Sequence, residues 1–159
     1  MTSVTLPFPH PKLTLIQGKP TNSSIKILKK EVYSNAWAIP SQRGRGKHGH
    51  LGLVMENYAY TTVTAKAWDL PEHPGPYPKP PDGESSRVID KHVRRYKVLI
   101  AELTLSKQVV NELRQLILVA VPPFTSKSWK MMSGAWVMSP SKTSSNIWKK
   151  SMERSVGRI

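Results

Sequence analysis

The residues best suited to chemistry stand together in RGRGKHGHLGLVM, Arg43 to Met55, where glycines and histidines crowd against a basic run. A phosphate loop would need Gly-x-x-x-x-Gly-Lys-Ser/Thr between a strand and a helix, so that glycine amides wrap the phosphate and a hydroxyl reaches its metal. Here His48 follows Gly46 and Lys47, and the upstream text has helical spacing, so this reading fails on sequence and on context. A metal site would need His48 and His50 to be joined by further ligands. His10, His73 and His92 are scattered without a metal-binding spacing, and there is no cysteine. The remaining reading is a structural turn made of Gly44, Gly46, His48, Gly49, His50, Leu51 and Gly52. In it glycine lets the backbone reverse, and the imidazoles bond loop carbonyls.

A second chemistry is phosphate contact. Arg43, Arg45 and Lys47 alternate with small residues, Lys26, Lys29 and Lys30 fall on a first helical stretch, and Arg94, Arg95 and Lys97 on a later one. Such groups make salt-sensitive, sequence-blind contacts to nucleic acid, or they are ordinary solvated helix faces. No catalytic set accompanies them. There is no Gly-x-Ser-x-Gly, no His-Glu-x-x-His and no carboxylate pair in a convincing frame. The expectation is a protein that is not an enzyme, takes no cofactor or metal and has no small-molecule substrate.

Composition sets the frame for these residues. The 159-residue chain carries 24 Lys and Arg against 10 Asp and Glu, a net charge of +14, a balance that points to nucleic acid or an anionic surface. Up to Phe124 there are 17 basic and 9 acidic residues, and after it 7 basic and 1 acidic. The opening MTSVTLPFPHPKLTLIQG is broken by prolines and has no signal-peptide core, and no apolar run approaches the ~20 residues of a membrane span. A soluble, cytoplasmic protein is expected, with the nucleus as the alternative and no membrane partner.

The elements that must position these residues are helical. Residues 1–20 are proline-spaced and are expected to be a flexible segment. Over 21–39, Ile25, Leu28, Val32, Ala36 and Ile39 form one apolar stripe at helical spacing, Asn22, Ser23 and Ser24 supply N-cap oxygens, and Pro40 stops the helix. Residues 40–67 hold the turn and a short helix from Glu56 to Thr62, with Thr61, Thr62, Val63 and Thr64 favouring an extended exit. Residues 68–83 carry six prolines between Pro71 and Pro81 and form a stiff linker. Over 84–121 the stripe Ile89, Val93, Tyr96, Ile100 and Leu103 shifts phase to Val109, Leu113, Leu116 or Ile117, and Ala120. That shift predicts one long helix or two, with a bend or break near Thr104 to Ser106.

NSSIKILKKEVYSNAWAIPSQRGRGKHGHLGLVMENYAY resembles the amino-terminal Gag-like region of copia-type long-terminal-repeat retrotransposon polyproteins. The resemblance rests on Asn-Ala-x-x-Ile-Pro-Ser at Asn35 to Ser41, on His-Gly-His-Leu-Gly-Leu-Val at His48 to Val54, and on a Pro-x-His-Pro-Gly-Pro connector at Pro71 to Pro76. It extends, more loosely, to VVNELRQLILVAVPPF and covers roughly residues 21–124. It implies an all-α, small helical capsid-like domain with glycine-rich and proline-rich connectors and disordered ends. It also implies that copies of the chain self-associate around element RNA.

The basic tail, 125–159, departs from that family, which has a further amphipathic helix ending in Tyr-Gly. The tail holds three of the five Trp and four of the six Met. Both have single codons, so joining the last base of each codon to the first two of the next forces several residues. Trp129-Lys130 must give Glu, Met131-Met132 Asp and Trp136-Val137 Gly. With permitted choices elsewhere, Trp136 to Glu153 becomes GDVTLKDILKHLEEKYG, an amphipathic helix with the missing ending. The expectation is a truncated, frame-shifted tail without a function of its own.

Overall fold

The computed structural model describes residues 5–42, 47–77, 79 and 82–121. They are all-α: helices Asn22–Ala38 (α1), Asn57–Thr64 (α2) and Ser86–Ala120 (α3), a single 3-10 turn at Leu51–Leu53, and no strand among the described residues. The expected tail reading at 125–159 lies outside the described residues.

All five stripe residues of α1 are buried. Its cap is Thr21, one residue before the expected Asn22, Ser23 and Ser24. The Thr21 hydroxyl accepts from the Ser24 amide at 3.2 Å, and the Ser24 hydroxyl accepts from the Thr21 amide at 2.9 Å. This reciprocal pair satisfies two donors that a helix start leaves open. In α2 the four β-branched residues stay helical rather than extended. Thr61, Thr62 and Thr64 donate their hydroxyls to the carbonyls of Asn57, Tyr58 and Tyr60, four residues back. The helix thereby offers each hydroxyl a partner, and α2 ends at Ala65 in the left-handed region.

Helix α3 runs unbroken for 35 residues, about 52 Å at ~1.5 Å per residue. A break near Thr104 to Ser106 is absent: the helix is continuous there, and Thr104 back-bonds to Ile100 at 2.8 Å. The phase shift has another outcome. At ~100° per residue the upstream and downstream stripes are centred roughly 140° apart around one helix. The downstream stripe enters the core through Val109, Leu113 and Ala120, with Leu116 and Ile117 packed at its edge. The upstream stripe points elsewhere, and its residues remain partly exposed.

The core lies between α1, the downstream half of α3, the 3-10 turn and the strap 5–20, which was expected to be flexible. Leu6, Leu13 and Ile16 of the strap are buried with Leu28, Val32, Leu51, Val54 and Tyr60. Pro7, Pro9 and Pro11 have no N–H, so few donors need partners when the strap docks. The donors beside them are spent. The Leu6 amide bonds Glu112 Oε2 at 3.3 Å, the Phe8 amide bonds the Leu6 carbonyl at 2.8 Å, and the His10 amide bonds Asn35 Oδ1 at 2.8 Å.

Candidate functional site

The histidine-glycine turn closes the C-terminal end of α1. That end leaves carbonyls without helical partners, and His50 serves two of them. Its amide donates to Ala36 O at 2.8 Å, and its ring Nδ1 donates to Ile39 O at 2.9 Å. His50 is fully buried, and its Nε2 is buried without a hydrogen-bond partner. Gly49 precedes it at φ +50°, and a Cβ there would run into the carbonyls of Trp37 and Ile39. Gly52 faces the Trp68 ring so closely that a Cβ would overlap it. Leu51 is buried beside both glycines. His48 stacks edge-on to Trp37, with ring centroids 5.2 Å apart. The turn is a clasp: backbone and imidazole donors cap one helix, and the glycines let α1 and the Trp68 segment approach. Gly44 and Gly46 lie outside the described residues.

The Trp68 contact carries the clasp into the connector. Trp68 meets Tyr60 of α2 edge-on at 5.4 Å, and its amide bonds Asn57 Oδ1 at 3.2 Å. Further on, Tyr77 meets Tyr96 of α3 edge-on at 5.2 Å, and the Tyr96 hydroxyl donates to Gly75 O at 3.3 Å. The proline-rich stretch is therefore pinned at both ends of its described part. Glu102, reaching from α3, accepts from the Gln42 amide at 2.9 Å and the Ser41 hydroxyl at 3.3 Å. It holds the chain where it leaves α1.

Burial in this clasp pushes the His50 pKa below the ordinary 6.5, outweighing the Ile39 bond and the Glu102 charge, which both raise it. The folded protein therefore takes up this proton less readily than the unfolded chain. The contribution to stability is complete above pH 6.5 and is lost as pH falls through that value toward the depressed folded pKa. Urea midpoints measured from pH 7.5 down to 4.5 are expected to fall more steeply for the natural chain than for His50→Asn, whose amide can replace the Nδ1 donor without titrating. Parallel pH profiles would remove His50 from this role.

The described basic residues are spread over α1, the turn and α3. Lys26 and Lys30 on α1 are exposed and Lys29 is half-buried, while Lys47 is exposed beside the turn. Arg94, Arg95 and Lys97 are exposed on the upstream half of α3. Arg43 and Arg45 lie outside the described residues. A shallow, open groove of about 430 Å³ is lined by Pro9, Lys30, Tyr33, Ser34, Trp37 and Ala38. Burial, reinforced by the charge of Glu56, raises the Tyr33 pKa, so the groove offers a neutral phenol and one ammonium. Among the described residues no group of three or more His, Asp or Glu side chains could hold a metal, and no helix is long and apolar enough to cross a membrane.

The chain's spacing marked the histidine-glycine turn but not the side chains that hold the strap. Asn35 is fully buried and pairs with both backbone groups of His10, and Glu31 binds the Thr14 amide and hydroxyl at 2.8 and 2.6 Å. One signal was present for Asn35. It stands three residues after Val32 and four before Ile39, a polar residue inside an apolar stripe. No protein family, curated protein or solved structure matches the chain.

Proposed function

We propose that this chain is a structural, self-associating subunit of the Gag-like capsid type, which assembles with other copies around RNA and does not act as an enzyme. The observation that carries this reading is the upstream half of α3. Ile89, Val93, Tyr96, Ile100 and Leu103 form an apolar stripe outside the main core, half-buried and touched by the connector at Tyr96. An amphipathic rod that projects an apolar face past its own core is suited to packing against another helix. The opposite side of that half carries Arg87, Lys91 and Arg94, all exposed, which suits phosphate contact after assembly. The resemblance at Asn35 to Ser41 and His48 to Val54 supports the same assignment, and the clasp gives those residues a building role.

Sedimentation of the natural chain against a Val93→Glu/Ile100→Glu variant tests the reading. The variant is expected to associate about a hundredfold more weakly, ~2.8 kcal/mol, because two carboxylates would be buried at an apolar contact. Its far-UV helix signal should be unchanged. A natural chain that stays monomeric into the millimolar range would refute self-association. If that monomer still bound RNA with a steep salt dependence, the second reading would stand instead: a basic nucleic-acid-binding module built on Arg94, Arg95 and Lys97 with Lys26, Lys29 and Lys30. The exposure of the three α3 residues is what favours it.

A further inference from the structure

Residues 5–16 lie in the cleft between α1 and the downstream half of α3, and the groups that hold them there read backbone. Glu112 takes the Leu6 amide, Asn35 takes the His10 amide and carbonyl, Glu31 takes the Thr14 amide, and the Ala120 carbonyl takes the Ile16 amide at 2.8 Å. Leu6, Leu13 and Ile16 supply the apolar anchors. The prolines keep such a segment extended before it docks, which lowers the entropy lost on docking. Each of these contacts is satisfied equally by the same residues of another copy. Only the return from strap to α1 belongs to the single-chain arrangement. It turns at Gly18, at φ +72° with nothing within 4 Å of a would-be Cβ.

We infer that the strap is exchanged between copies, so that residues 5–16 of one chain occupy the α1–α3 cleft of a second. Exchange of an identical element preserves every contact except the hinge, which makes it a low-cost route to association. Reciprocal exchange closes a dimer, while sequential exchange builds an open chain of subunits. This inference rests on the self-association reading and names a second surface for it, separate from the upstream stripe of α3.

The chain has no cysteine, so introduced thiols report cleanly. Leu15 and Ile27 are exposed. Leu15 follows the held Thr14, and Ile27 stands one helical turn before Glu31. Full-length L15C and I27C chains are refolded together at a concentration where the natural chain sediments as an oligomer, then treated with a short bis-maleimide. A covalent L15C–I27C heterodimer severalfold above either homodimer is expected. The double variant L15C/I27C, diluted to the monomer, should link within one chain and so prove the reach of the reagent. A persistent oligomer without excess heterodimer would overturn strap exchange and leave self-association standing, whereas a monomer at all concentrations would overturn both. As a second measurement, G18V should raise the oligomer fraction about tenfold, because a β-branched residue disfavours the left-handed turn that only the single-chain arrangement needs. An unchanged or lower fraction would count against exchange.

Discussion

Gly49→Ala is expected to remove a large part of the protein's net stability. Two effects add. The residue sits at φ +50°, where an L side chain costs roughly 1–2 kcal/mol. The added Cβ would also meet the Trp37 and Ile39 carbonyls. Neither carbonyl can swing aside, because Trp37 lies within the last turn of α1 and the Ile39 carbonyl accepts from the His50 ring. Moving the turn outward would break the His50 bonds to Ala36 and Ile39 and withdraw Leu51 and Val54 from the core. Together these losses would reach about 4 kcal/mol or more, against a net stability of ~5–15 kcal/mol for a domain. Two other glycines separate the causes. Gly83 has φ +98° and open space, so Gly83→Ala should show conformational strain alone. Gly52→Ala meets the Trp68 ring, a side chain that can rotate, and should fall between them. Urea midpoints are expected in the order Gly83→Ala, Gly52→Ala, Gly49→Ala, from highest to lowest. Equal midpoints for Gly49→Ala and Gly83→Ala would show that the clasp tolerates the bulk.

The all-α class was legible because apolar residues recur at helical spacing in α1 and the downstream half of α3. Each stripe has one buried side, and periodicity reports burial directly. The continuity of α3 was less legible. A stripe that jumps phase looks like a break if every apolar residue is assumed to face one core. The helix need not break if its two halves meet different partners, and Ile89 to Leu103 lie outside the main core. The strap was hidden for a related reason. Prolines at 7, 9 and 11 prevent regular structure, and irregular text is easily taken for loose text. Its order comes from distant side chains, Glu112, Asn35 and Glu31, and no local pattern encodes contacts between residues 6 and 112. The histidine-glycine turn lay between these cases. Its role as a turn followed from glycine, but the dependence of α1 on His50 required knowing where the two carbonyls of Ala36 and Ile39 end.

The same hidden order makes Asn35→Leu the second-largest expected effect. Leucine keeps the branched shape of the asparagine side chain and has a higher helix propensity, so α1 should form as before. It can neither accept from the His10 amide nor donate to the His10 carbonyl, and both groups would stay in a partly buried cleft without partners. Each unpaired group costs roughly 1–3 kcal/mol, so the substitution should cost about 2–6 kcal/mol and release the strap before the rest of the fold. Asn35→Asp retains an acceptor for the His10 amide but turns a carboxylate toward the His10 carbonyl, so it recovers only part of the loss. Glu31→Gln acts at the exposed Thr14 contact, where the amide oxygen still accepts one bond and water can take the other; it should cost about 1 kcal/mol or less. Hydrogen exchange distinguishes a released strap from general unfolding. In Asn35→Leu the amides of His10, Thr14 and Ile16 should lose protection while those of Val109 to Leu113 keep most of theirs. If all of them lost protection together, the strap would be one cooperative unit with the helices, and Asn35 would hold the whole core rather than its outer layer.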